Sequence, residues 1–236
     1  AHPDHAYIGR LAVAGGPGIC STMDDFVRIF SPAEPEWWTH IGDTAVFRAV
    51  EGAEDQADGA VAELDARNVR SPDVVLGIAA SGVTPWVLGG LQHARTRGCG
   101  TIFFTCSPSA AGGVDTDVTI VPKVGPEVVT GSTRMKAGTA TKLVLNTLTT
   151  SVMVRLGKTY GNFMVDLQPT NAKLRDRMLR ILSTLSGLDS DTARQRLEAA
   201  NWELKLALVM ELCDKDAPAA RQLLANADGK GKAAVL

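Results

Sequence analysis

Short apolar runs and longer stretches with apolar residues at helical spacing alternate through the first two-thirds of the chain. Arg10–Ala14 (RLAVA), Asp73–Ile78 (DVVLGI), Thr101–Thr105 (TIFFT) and Val118–Val121 (VTIV) are bounded by turn residues and read as strands. Helical stretches are predicted around Ser21–Phe30, after a Gly-Pro-Gly turn, and from Pro85 to Arg97. Strands separated in this way form βαβ units, because parallel neighbours need a crossover that a helix supplies. The expected class is therefore α/β with a mostly parallel sheet. Ligands of such sheets sit beyond the carboxyl ends of the strands, where loops enter helices.

From Lys136 onward the texture changes. Ala137–Leu156 carries Leu, Val and Met at helical spacing and predicts a long buried helix. A Gly-rich break follows at Gly157–Asn162, and helical patterns then run nearly to the end. The stretch Ser186–Leu236 predicts three short helices. Asp189 and Asp191 stand at N-cap positions, and Leu197, Leu204, Leu208 and Leu212 supply apolar faces. The organisation expected is an α/β domain over residues 1–185 and a small helical bundle over residues 186–236.

Composition adds mainly exclusions. The 236 residues are 45% hydrophobic and 21% charged, enough for an ordinary core without disulfides or metals. A net charge of −2 with dispersed basic residues gives no footprint for nucleic acid, and the cluster from Lys173 to Arg180 reads as a solvated helix face. Cys20, Cys99, Cys106 and Cys213 are scattered singly, which points to a reducing cytoplasm and to buried small apolar roles. No apolar run reaches the roughly 20 residues needed to span a bilayer. No membrane partner is expected. The chain begins at Ala1 and enters a strand-like run almost at once, as a processed or truncated form of something longer would.

Three segments could carry chemistry. Ala79–Pro85 (AASGVTP) follows a strand, turns on small residues and places Pro85 at a helix start. It would aim backbone N–H groups and the Ser81 and Thr84 hydroxyls at one spot, as an anion such as a phosphate requires. It reads equally as a plain turn with Ser81 or Thr84 as N-cap. Gly125–Thr139 (GPEVVTGSTRMKAGT) crowds glycines, hydroxyls and two cations before the apolar helix, with Lys136 about one turn in, where it would meet an anion. Glu51, Glu54 and Asp55 form an acidic group that reads either as a helix start or as the source of a general base.

Other features carry little. His2 and His5 with Asp4 resemble a metal cluster but sit at a terminus, and His40 and His93 are isolated. Gly15–Gly18 lacks the G-x-G-x-x-G order of a dinucleotide site, and Ser81 lacks the G-x-S-x-G of an esterase elbow.

Four segments together resemble the N-acetylmuramic acid 6-phosphate etherases, and more distantly the glucokinase regulatory proteins, within the sugar-isomerase (SIS) superfamily. They are Ala49–Asp55 (AVEGAED), Asp73–Arg95, Val124–Leu148 and Arg155–Arg177, in family order and with nearly family spacing. The C-terminal LALVMEL at Leu206–Leu212 is similar to the etherases' tail domain. The resemblance implies a three-layer SIS-type sandwich with a small C-terminal helical bundle. It also implies a homodimer with sites near the subunit boundary. The activity implied is removal of the D-lactyl ether from C3 by elimination from the open-chain aldehyde, followed by addition of water. No metal or organic cofactor is implied. By matching position Glu54 is the second catalytic carboxylate, and Ser81, Thr84, Ser132, Thr133 and Lys136 match the sugar-phosphate loops.

The departures lie at the front. Family members carry G-A-G-T-S-G-R after the opening strand, where this chain has Ala14–Cys20 (AGGPGIC). The family's first catalytic glutamate, in A-S-E-C-P-P, has no match, which leaves Asp24 or Asp25 as the substitute, on a shorter arm. Val83 stands where the family has Arg. The alternatives are a non-catalytic sugar-phosphate sensor and an isomerase of the wider superfamily.

Overall fold

The computed structural model describes residues 11–15, 52–71 and 73–235. The helix expected over Ser21–Phe30, and the readings made on His2, His5, Asp24, Asp25, His40 and Glu51, lie outside the described residues. The chain divides into two compact units, with the boundary between Leu145 and Asn146.

In the first unit four strands form one parallel sheet in sequential order: β1 (Leu11–Gly15), β2 (Val74–Ile78), β3 (Gly100–Phe104) and β4 (Val118–Ile120). Leu76 of β2 is level with Val13 and Ile102, and Ile102 with Val118. All four strands were expected, within a residue or two. Val75 and Phe103 join one apolar cluster with Val87 and Leu91. Leu76, Ile78 and Phe104, on the opposite face, are 0%, 5% and 1% exposed. Burial on both faces explains why DVVLGI is a continuous apolar run rather than an alternating one, and is what a three-layer α/β arrangement requires.

Helix α1 (Ala57–Ala66) and helix α2 (Pro85–Thr96) follow. Gly77 of β2 lets α2 approach closely: a Cβ there would stand 2.7 Å from Leu91 Cδ1 and 2.9 Å from Val87 Cγ1. Helix α1 packs on α2 through small residues as well. A Cβ on Gly89 would meet the Ala57 carbonyl at 2.8 Å, and one on Gly90 the Ala60 Cβ at 3.1 Å. His93 is not isolated, since its Nε2 lies 2.8 Å from Asp65 Oδ1 on α1. These contacts ascend together along both helices, so α1 and α2 run in the same direction.

Helix α3 (Lys136–Arg155) departs from expectation. It is long, but its buried residues are Ala137 and Thr141, while Leu143 is 62% exposed and Val154 50% exposed. Its apolar and small residues are spread around the helix instead of forming a stripe, so mean apolarity overstated its burial.

The second unit contains the hairpin β5 (Thr159–Tyr160) and β6 (Phe163–Met164), closed by Gly161 at φ +58. It also contains α4 (Ala172–Ser186), α5 (Ser190–Ala199), α6 (Leu204–Leu212), α7 (Ala217–Asn226) and the short α8 (Gly231–Val235). Met178, Leu182, Leu197, Leu204 and Leu208 share one apolar cluster, with Ala234 and Val235 of α8 packed on it. Beyond Ser186 there are therefore four helices, not the three expected, because the last few apolar residues dock as a further turn. Asn171, Asp189 and Asp216 cap α4, α5 and α7 with their side chains. Asp191 lies in the first turn of α5 and is not a cap. Lys173, Arg175, Arg177 and Arg180 form a solvated face, as expected, with Arg175 stacked 5.1 Å from the Trp202 ring centroid. No described helix is long and apolar enough to cross a membrane.

Candidate functional site

The carboxyl ends of β2 and β3 open into two loops that pack on each other. After β2, Gly82 is buried at φ +81, and a Cβ there would stand 2.4 Å from Ala110 Cβ and 2.9 Å from Thr105 Oγ1. Only glycine permits both this backbone and this approach. The buried Thr105 hydroxyl donates to the Ala80 carbonyl at 3.3 Å and accepts from the Ser107 N–H at 3.1 Å. The Cys106 N–H donates to the Ala80 carbonyl at 3.1 Å. Ser81 is thereby held exposed at the turn, its hydroxyl accepting from the Val83 N–H at 3.5 Å.

Thr84 occupies the N-cap position of α2, but its side chain makes no capping hydrogen bond. The plain-turn reading required Ser81 or Thr84 to spend its hydroxyl on the helix start. Thr84 does stand at the N-cap, without a side-chain bond to the helix, and the Ser81 hydroxyl takes the Val83 N–H of the turn. The start of α2 instead combines Pro85, the helix dipole and two hydroxyls, a favourable setting for an anion.

The start of α3 is built differently. Lys136 is its first residue, not a residue one turn in. The two oxygens of Glu127 accept from the Lys136 and Ala137 N–H groups, each at 3.0 Å. The Gly138 N–H donates to the Thr133 carbonyl at 3.1 Å, and the Lys136 ammonium to the Pro126 carbonyl at 2.8 Å. The expected cradle at this helix start thus already holds an anion, the carboxylate of Glu127. The backbone bonds from Ala137 and then Lys136 hold that carboxyl below the usual glutamate range. Ser132 is half-buried and Thr133 exposed in the loop just before the helix.

Glu54 lies exposed in a 3-10 turn, Ala53–Asp55, directly before α1. Because α1 runs in the direction of α2, this turn stands toward the amino end of α2, the end that carries Ser81 and Thr84. Asp24 and Asp25 lie outside the described residues. Sequence reasoning passed over Thr105, Ser107 and Ser109, which line the loop after β3, with the Ser107 and Ser109 hydroxyls 3.2 Å apart. The Thr-Cys-Ser-Pro-Ser string after a predicted strand was the available signal. Cys99 is buried, and burial raises its thiol above the ordinary range. This suits the apolar role expected of it.

Fold and site together define an α/β protein whose loops after β2 and β3 present hydroxyls at the carboxyl edge of a parallel sheet. No protein-family model matches the chain. It is 48% identical over 229 residues to the N-acetylmuramic acid 6-phosphate etherase of Mycolicibacterium smegmatis, covering 97% of this chain and 74% of that protein. It is 48% identical over 188 residues to that of Rhodopirellula baltica, covering 80% of this chain and 62% of that protein. For the Pectobacterium atrosepticum protein of the same description the identity is 47% over 195 residues, covering 83% and 64%. The chain belongs to the N-acetylmuramic acid 6-phosphate etherase family, and spans a little under two-thirds of the length of several relatives it matches.

Proposed function

We propose that the chain is a carbon–oxygen lyase that cleaves the D-lactyl ether of N-acetylmuramic acid 6-phosphate. The observation that carries this reading is 48% identity over 97% of the chain to an etherase of that description. The loop structure supports it: the hydroxyls of Ser81 and Thr84 stand at a helix start left uncapped by side chains.

In the open-chain sugar the C1 aldehyde acidifies the C2 proton. One carboxylate removes that proton, the C3–O bond breaks, and an acid protonates the departing lactate oxygen. Water then adds at C3 and a proton returns to C2, giving N-acetylglucosamine 6-phosphate and D-lactate. Glu54 is one of the two carboxyl groups, and Asp24 or Asp25 the other. Ser81, Thr84, Ser132, Thr133 and Lys136 hold the sugar phosphate. Lys136 has ammonium protons to spare beyond its bond to Pro126. The reaction is an internal elimination and hydration, so it asks for no metal or organic cofactor.

Within this reading the site lies wholly within residues 1–185, and residues 186–236 belong to the helical unit that begins at Asn146. The protein works in the cytoplasm on recycled cell-wall sugar and as a homodimer. The test is D-lactate release from N-acetylmuramic acid 6-phosphate. Glu54→Gln should reduce it at least about a hundredfold, the scale of a lost acid–base group. Wild-type release no higher than that of Glu54→Gln would refute the lyase reading. A second reading, a sugar-phosphate sensor without turnover, is favoured by Val83 in place of the family's Arg and by the altered Ala14–Cys20 segment. It predicts saturable calorimetric binding of hexosamine 6-phosphates with no lactate.

A further inference from the structure

Glu127 has no part in the chemistry above, yet it closes the loop that presents Ser132 and Thr133. The loop leaves and rejoins the structure at one place. There the Glu127 carboxylate spans the Lys136 and Ala137 N–H groups at 3.0 Å each, and the Lys136 ammonium reaches back to the Pro126 carbonyl at 2.8 Å. Between these closures Val128, Val129 and Met135 are 80%, 66% and 63% exposed, so apolar packing does little to hold the arms of the loop. Its base and its backbone bonds contribute to its shape. The Ser132 N–H donates to the Val129 carbonyl at 3.0 Å, and the Thr133 carbonyl accepts from the Gly138 N–H at 3.1 Å. Gly125 and Gly131, at φ +71 and +86, supply the two sharp bends.

We propose that Glu127 is a positioning residue for the sugar phosphate: by clamping the base of the loop, its carboxylate sets where the hydroxyls of Ser132 and Thr133 stand. The proposal rests on the reading of those two residues as substrate ligands. The carboxylate accepts two backbone bonds that favour its ionised form. It holds the loop as a carboxylate through those two bonds. It also occupies the backbone N–H groups at the amino end of α3, which leaves the phosphate to side chains, the hydroxyls and the Lys136 ammonium, and to the start of α2.

The test compares Glu127→Gln and Glu127→Ala with wild type in the 236-residue chain. KM and kcat for lactate release are measured together with calorimetric Kd for N-acetylglucosamine 6-phosphate. Glu127→Gln keeps one acceptor oxygen and Glu127→Ala keeps none. KM and Kd should therefore rise roughly tenfold in the first and further in the second, with kcat within about twofold of wild type. A merely structural role would lower the active fraction, and so kcat, at unchanged KM. That result overturns the proposal, as does unchanged KM and Kd in both variants. If Glu127→Ala does not fold, Glu127→Gln decides alone. If wild type binds but releases no lactate, the lyase reading fails and the Kd comparison still decides the role of Glu127. If wild type does neither, the sugar-phosphate reading fails and the proposal with it.

Discussion

Replacing Gly82 by alanine asks whether the Ser81 turn is held by the close approach of the two loops after β2 and β3. Two costs follow from the structure. Gly82 sits at φ +81, and a left-handed backbone costs an L-residue about 1–2 kcal/mol. The new Cβ would also stand 2.4 Å from Ala110 Cβ and 2.9 Å from Thr105 Oγ1, so one loop must move, and overpacking of this kind costs about 1–3 kcal/mol. Lower entropy of the unfolded chain returns about 0.4–1 kcal/mol. The net loss should be roughly 1–5 kcal/mol, read by urea unfolding at neutral pH. The movement also displaces Ser81, so KM should rise with the loss of stability. Ala110→Gly removes the shorter contact but leaves the backbone cost. In that background Gly82→Ala should be milder by roughly 1–2 kcal/mol, a coupling expected only of groups that touch. Stability of Gly82→Ala within about 0.5 kcal/mol of wild type would refute the reasoning, and so would strict additivity with Ala110→Gly.

Asp117 accepts from the Thr101 N–H at 2.7 Å and the Thr101 hydroxyl at 2.8 Å, and these bonds, with Arg95 nearby, hold its carboxyl below the ordinary aspartate range. A depressed folded-state value stabilises above the unfolded value and loses that contribution as pH falls through the folded one. Asp117→Asn should thus be less stable than wild type at neutral pH, with the difference vanishing in an acid titration by chemical unfolding. A difference that grows on acidification would contradict the assignment. In the second unit Leu182 is fully buried, and Leu182→Ala should cost about 2–5 kcal/mol in the same assay. A loss below about 1 kcal/mol would show that the cluster around it collapses to fill the space.

The strands and helices that pack were legible because their patterns are local. DVVLGI and TIFFT are β-branched and aromatic runs flanked by turn residues, and they became β2 and β3. Asp189 stands before a helical pattern, and it caps α5. The family was legible for a similar reason: long stretches such as Val124–Leu148 keep both residue types and spacing. What local pattern could not supply was the partner of each group. Nothing in the neighbourhood of His93 names Asp65 28 positions away, yet the close packing of α1 on α2 brings them to 2.8 Å. The string from Gly125 to Lys136 reads as an anion cradle, and its chemistry does favour an anion. The tertiary structure showed that the anion at the start of α3 is the chain's own Glu127. Composition marked α3 as apolar, but burial depends on what packs against a helix, and Leu143 is exposed. Residue type sets what a group can bond, while the fold decides which of the competing partners it meets.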